Sequence, residues 1–263
     1  MLWTTLLSFT STRLLPRYDL VGLRNYQALL ADPRFALSFR NLLLFGVVFG
    51  AITLVAGFLL AAGLHAASAA ARPVLRVVFL APLSISWLLT GLVWQWVLNP
   101  SLGLEAALHR LGWTTVHIDW IVREQTALYM VAVAGAWHFA GLIMVLFLAG
   151  LRGIDPDIWK MLRLERIPPW RAYAQVALPM LRPYVLTAVL LLAFAVAHTF
   201  DLVVAMTGGG PGFATDLPTL LIYDALFPRS QAGVAAACAV VLMAAIVLAV
   251  LPYVLLETGR NRR

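Results

Sequence analysis

An all-α polytopic membrane protein is the fold class this chain predicts, on three observations. Hydrophobic residues make up 62% of it and charged residues 12%, well outside the balance of a soluble domain. Five apolar runs reach the roughly 20 residues that a helix needs to cross a bilayer core about 30 Å thick. Stretches such as VLLLAF at 189–194 do not alternate as the strands of a closed barrel would, so helices remain as the way to satisfy the backbone in lipid.

The opening MLWTTLLSFT is too short to cross, since about ten residues of helix extend only about 15 Å. It does not read as a signal peptide: no basic segment precedes it, no small-residue cleavage site follows, and Arg13 and Arg17 come after the apolar part. Residues 1–40 are expected to be the remnant of an incomplete first span plus an outer segment. Five full spans are expected at 41–64, 77–98, 126–151, 183–207 and 233–256, the fourth alone carrying an acid, Asp201. Outer excursions cover 8–40, 99–125 and 208–232. In the second of these, GLEAALHRLGW has apolar residues at helical spacing and predicts a short interfacial helix ending near Gly112. Neither an internal repeat nor a low-complexity linker divides the chain, so 41–256 is one transmembrane domain with a loop at 152–183 and a basic tail at 257–263.

Placing the carboxyl end in the cytoplasm puts Arg72, Arg76, the 152–183 loop and the tail arginines Arg260, Arg262 and Arg263 on one side, eleven of the nineteen basic residues. Four acids share that side, so it carries the whole net charge of +7, while eight cations and eight acids cancel outside. The single cysteine, Cys238, excludes an intrachain disulfide and reads as packing within the last span.

The 151–183 segment, LRGIDPDIWKMLRLERIPPWRAYAQVALPMLRP, is a basic interlude between apolar runs and predicts a short helical elbow starting at Asp155. Ile158, Trp159, Leu162 and Ile167 would form an exposed apolar face, and Lys160, Arg163 and Arg166 would supply charge beside it. An interfacial anchor to anionic lipid, seated through the arginines and Trp159 or Trp170, fits the same residues. The cluster Gly208-Gly209-Gly210-Pro211-Gly212 lacks the Lys-Ser/Thr of a phosphate loop, which leaves a flexible turn or a role in gating or docking. Polar or flat side chains within spans are few. His198 and Asp201, three apart, are one candidate pair for a substrate path, against simple solvation or mutual pairing. Trp137 and His138 are a second, against helix packing beside Gly135 and Gly141. Trp94 and Trp96 fit an aromatic belt. An intramembrane enzyme is disfavoured: no His-Glu-x-x-His motif occurs, no two acids share a span, and Ser84 and Ser86 have no base in their own span. With one intramembrane acid and no repeat, a secondary transporter is a weaker alternative.

Read in order, several short signatures resemble the maltose-type family of binding-protein-dependent ABC sugar importer permeases, over nearly the whole chain. VGLRNYQALLADPRFALSFRNLLLF is similar to the family's first outer segment and next span, and WQWVLNPSLGLEAALHRLGW to its second outer segment. AWHFAGLIMVLFLAGLRGI looks like the span entering the coupling loop, and DLVVAMTGGGPGFATDLPTLLIYDALF like the last outer loop. IWK, IPPW and YDALF look closest to a branch importing glucose or α-glucosides. The resemblance implies a type I-like permease that forms half of a translocation path in the bacterial inner membrane and is not itself an enzyme. It implies a second permease, two copies of an ATP-binding subunit and an extracytoplasmic sugar-binding protein as partners. ATP would be bound on the partner subunit and no cofactor or metal on this chain, with lipid and sugar but no nucleic acid as further partners. It also makes Asp155, Ile158, Trp159, Lys160, Leu162, Arg163, Glu165, Arg166 and Ile167 the coupling elbow, and Gly208 to Pro211 the outer loop. One departure matters. The family's Glu-Ala-Ala and Asp-Gly slots hold Lys160-Met161-Leu162 and Glu165-Arg166 here. If the lost glycine marks a left-handed bend, Arg166 would bear about 1–2 kcal/mol there, and the turn is expected to be reshaped around Pro168-Pro169. A scaffold subunit with weakened coupling is the corresponding alternative.

Overall fold

The computed structural model describes residues 1–13, 18–115 and 117–260, with side chains to 248. Among these residues no strand is present beyond one isolated antiparallel bridge, Thr10 with Leu20. Helices make up most of the rest, as the composition demands. Arg17, Arg262 and Arg263, counted above for orientation, lie outside the described residues.

Two helices set the frame. α1 (Leu2–Ser8) and α2 (Arg24–Ala31) precede α3 (Pro33–Ala66), a 34-residue helix about 51 Å long. Asp32 starts α3 by accepting the Arg34 N–H at 2.9 Å, with Pro33 in the first turn, where no amide donor is needed. At its other end, Arg72 donates to the carbonyls of Ala67 and His65 at 3.0 and 3.1 Å and satisfies the frayed last turn. After α4 (Ala71–Leu80), α5 (Trp87–Val97) and α6 (Leu104–Arg110) comes the second frame helix, α7 (Glu124–Arg152). The buried positions of α3, Ser38, Asn41, Phe45, Phe49, Thr53, Gly57, Ala61 and Leu64, repeat at three or four residues and form one stripe against α7. Leu43, Val47, Val55 and Leu59 lie on the opposite, exposed side of α3.

α7 is the centre of the core. Phe147, Ile143, Met144 and Val131 are fully enclosed between α3, α5 and the later helices. Close approach depends on Gly57: a Cβ there would sit 2.6 Å from Ile143 Cγ2.

The chain continues through α8 (Pro156–Leu164), α9 (Pro169–Met180), α10 (Arg182–Ala197), α11 (Phe200–Met206), α12 (Pro218–Leu226) and α13 (Ala232–Arg260). Two of the apolar runs expected as full spans are not single helices. The run 77–98 is split between α4, a 3-10 turn at Ala81–Ser84 and α5, with a 100° bend. Pro82 cannot donate a helical hydrogen bond and the Ser86 hydroxyl caps a new helix by accepting the Leu89 N–H at 3.2 Å, which is why the chain restarts there. The run 183–207 is broken at His198-Thr199 between α10 and α11, and α10 itself meets α9 at 74°. α9 contains a π-helical stretch, Ala172–Ala177, ahead of Pro179, another residue without an amide donor. By length and composition α3 and α7 can each cross a membrane, and each bent pair supplies one further crossing if it acts as a unit. α13 adds an apolar stretch over Ala232–Leu248.

The amino-terminal α1 lies along α13 without crossing the fold, in keeping with its length. Asn25 donates to the Ser8 and Thr10 carbonyls at 2.8 Å, and the Gly233 N–H donates to Thr12 at 2.9 Å, which ties the segment to α2 and the start of α13.

Gly57→Ala is expected to lower the thermal stability of the detergent-solubilised protein by about 1–3 kcal/mol through overpacking against Ile143. Gly50→Ala, on the same helix with open space at its Cβ position, should be neutral or slightly stabilising in the same melt.

Candidate functional site

The elbow after α7 forms as a helix because Asp155 accepts the Asp157 N–H at 2.9 Å and Pro156 occupies the first turn. It ends by a left-handed residue. Arg166 has φ 53°, and the Arg166 and Ile167 amides donate to the carbonyls of Arg163 and Leu162 at 3.1 and 3.0 Å, the paired closure that glycine usually permits. The bend is therefore kept at Arg166, contrary to the expectation that Pro168-Pro169 would reshape it, and the arginine carries the strain.

The apolar face of the elbow is turned the other way from the sequence expectation. Leu162 is buried and Ile158, Trp159 and Ile167 are half-buried against the body, because the hydrophobic side of a helix this short finds its burial at home. Trp159 sits in an aromatic socket, its ring 5.0 Å from His65 at the end of α3 and 5.3 Å from Tyr173 in α9. His65 Nδ1 and the Tyr173 hydroxyl are 2.9 Å apart, which closes the socket. The Trp159 indole N–H is buried without a hydrogen-bond partner. Arg72, Arg152 and Ile167 join these rings around a cavity of about 640 Å³. Left facing outward are Met161 and Leu164, 50% and 83% exposed, among Asp155, Lys160, Arg163, Glu165 and Arg166, with Lys160 paired to Asp157 at 2.7 Å.

Within the spans, the candidate pairs separate. His138 is buried, 2.9 Å from the Thr90 hydroxyl and stacked on Trp87 at 4.5 Å, so it packs α7 to α5. Trp137 is half open, edge-on to Trp94 at 6.1 Å, in an apolar cleft of about 670 Å³ shared with Phe79, Pro82 and Ala140. His198 and Asp201 are both exposed. The helix breaks between them, and His198 turns its Nδ1 to the Phe194 carbonyl at 3.1 Å instead of pairing with the acid.

The glycine cluster is a tight turn held by its neighbours. Gly209, at φ 93°, is one position where a side chain would fail twice, since its Cβ would also fall 2.7 Å from Leu220 Cδ2. Thr215 donates to the Gly210 carbonyl at 2.8 Å and meets the Thr207 hydroxyl at 2.7 Å. Behind this turn lies a clamp the sequence did not disclose. Arg34 of α3 contacts Asp216 Oδ2 through two nitrogens at 2.8 Å, reaches Asp224 of α12 at 2.8 Å and covers the Phe213 ring at 4.5 Å. Asn41 donates to the Phe213 and Asp216 carbonyls at 3.1 and 3.0 Å. Burial pushes the Asp216 carboxyl above its ordinary value, against the downward pull of Arg34. No local motif marks Arg34, Asp216, His65 or Tyr173, because their hydrogen-bond partners are 108 to 190 residues away in sequence.

The model of one family, the binding-protein-dependent transport system inner membrane components, matches residues 53–261. The chain belongs to that family. A probable ABC transporter permease protein of Pyrococcus horikoshii is 31% identical over 253 residues, 95% of this permease and 86% of that protein. The trehalose/maltose transport system permease protein of Thermococcus litoralis is 27% identical over 250 residues, covering 95% and 83% of the two chains. Among solved structures, a bacterial ABC transporter involved in the import of the acidic polysaccharide alginate matches with a TM-score of 0.79 at 16% identity, over 90% of this permease and 84% of that chain. The fold class expected above is thereby met: this is a helical, membrane-embedded ABC importer permease subunit.

Arg166→Gly should raise stability by about 1 kcal/mol by releasing the left-handed strain. Arg34→Gln, which strands a carboxylate that is 1% exposed, should cost about 3 kcal/mol. Both are read by thermal unfolding in detergent.

Proposed function

We propose that this permease is one half of the translocation path of an ATP-driven sugar importer in the bacterial inner membrane, with its carboxyl end in the cytoplasm. Its complex would hold a second permease, two copies of an ATP-binding subunit and an extracytoplasmic sugar-binding protein. The family description and the carbohydrate transporters among its relatives favour these partners. The glucose and α-glucoside branch is the substrate class we favour, from the IWK, IPPW and YDALF wording.

The observation that carries the coupling role is the Trp159 socket. An elbow fixed to the ends of α3 and α9 transmits a push into both helices, whereas a lipid anchor has no need of one. The ATPase would grip the outward residues, Met161 and Leu164 with Asp155, Lys160, Arg163, Glu165 and Arg166 around them, while Ile158, Trp159, Leu162 and Ile167 relay the motion inward. ATP chemistry belongs to the partner subunit, and the work of this chain is reorientation. The exposed His198 and Asp201, and Trp137 in its cleft, would line the path toward the second permease, with the turn at Gly208, Gly209, Gly210 and Pro211 meeting the binding protein.

ATP hydrolysis by the reconstituted complex should rise on addition of sugar-loaded binding protein. Leu164→Asp should abolish that rise by spoiling the gripped surface, and Trp159→Ala should abolish it by emptying the socket while the complex still assembles. Hydrolysis indifferent to the binding protein and to both substitutions would sink the reading.

A further inference from the structure

The loop between α6 and α7 gathers three side chains with metal-ligating atoms to which the proposed function assigns no role. Glu105 and His109 lie one turn apart on α6, and the chain reverses at Gly112 to bring His117 back beside them. Glu105 Oε1 is 3.3 Å from His117 Nδ1 and 3.9 Å from His109 Nε2, and all three donor atoms lie within 4.8 Å of one another. The second carboxylate oxygen, Oε2, accepts the Ile118 N–H at 2.8 Å, which fixes the plane of the group and leaves Oε1 turned to the two imidazoles. Glu105 is buried at 8% exposure, so its carboxylate is held by these contacts and not by solvent. A buried, oriented carboxylate facing two imidazoles is the arrangement in which an outer hydrogen bond fixes a metal ligand.

We propose that Glu105, His109 and His117 form a binding site for a zinc-class transition-metal dication. Two imidazoles and one carboxylate suit Zn²⁺ and its neighbours, whereas Ca²⁺ and Mg²⁺ take oxygen ligands. Donors around a tetrahedral zinc stand about 3.3 Å apart, the separation Glu105 and His117 already have. Closure asks the His109 ring to move in by under about 1 Å toward the carboxylate, and His117, whose side chain is 69% exposed, is free to follow. Three protein ligands leave a fourth position open for water or for a side chain brought by another protein. The bound ion would fasten α6 to the segment that enters α7.

Zn²⁺ is titrated calorimetrically into the assembled complex in detergent, purified without a histidine tag, and Co²⁺ is then added in its place. The wild type is expected to bind one more Zn²⁺ per copy of this chain than the His109→Ala/His117→Ala variant, and to give the intense visible band of four-coordinate Co²⁺ that the variant lacks. Glu105→Gln should weaken Zn²⁺ binding at least about tenfold. His117→Gln, at an exposed loop position, should do likewise while leaving the metal-free melting temperature unchanged. Equal stoichiometry and affinity in wild type and in the His117→Gln variant, or only the pale spectrum of six-coordinate Co²⁺, overturns the site.

Discussion

Everything else in this permease hangs on the close approach of α3 and α7. A stripe of buried residues at every third or fourth position gives α3 one face, and Gly57 lets that face come within contact of Ile143 on its partner. Close packing in lipid draws on dispersion and shape, since the surrounding chains are as apolar as the helix, so a glycine at the crossing counts for more than another leucine would. The two ends of α3 then inherit a rigid position. Arg34 at one end seizes the Asp216 turn, and His65 at the other, about 46 Å along the axis, walls the Trp159 socket.

The bent elements answer a different need. α4 with α5 and α10 with α11 are interrupted where Pro82, Ser86 and the His198-Thr199 pair deny a continuous ladder, and freed backbone groups in a membrane must be buried in protein or face water. α5 and α11, the helices that follow the two breaks, lie against each other. His198 and Asp201 flank the second break and are exposed. Unbroken over 34 residues, α3 presents exposed leucines and valines instead.

The fold was legible in the sequence wherever physics is local. Runs of uncharged residues disclosed the long helices and Asp155-Pro156 disclosed the start of the elbow, whereas the bend expected to move to Pro168-Pro169 stays at Arg166. Straightness was not legible, because an apolar count cannot tell a span from two half-helices meeting at 100°. The facing of the elbow was misread for a related reason. Periodicity shows that Ile158, Trp159 and Leu162 share a face, and it is silent on whether that face meets the body or a partner. His138 shows the same ambiguity, since a polar residue within a span can serve a path or, as here, complete a hydrogen bond to Thr90. The Arg34 clamp and the Trp159 socket depend on contacts between distant segments and had no signature to read.

The unpartnered indole N–H of Trp159 has a mechanical meaning. A ring seated among His65 and Tyr173 by shape alone, with no directional bond to break, behaves as a ball in a cup. Rotation of the elbow would change the angle of those contacts far more than their number, so the joint can swivel at little cost and still bear a push along its axis. Hinges made of hydrogen bonds must rupture and reform on every stroke; under the coupling role proposed for the elbow, this one would turn as a greased bearing.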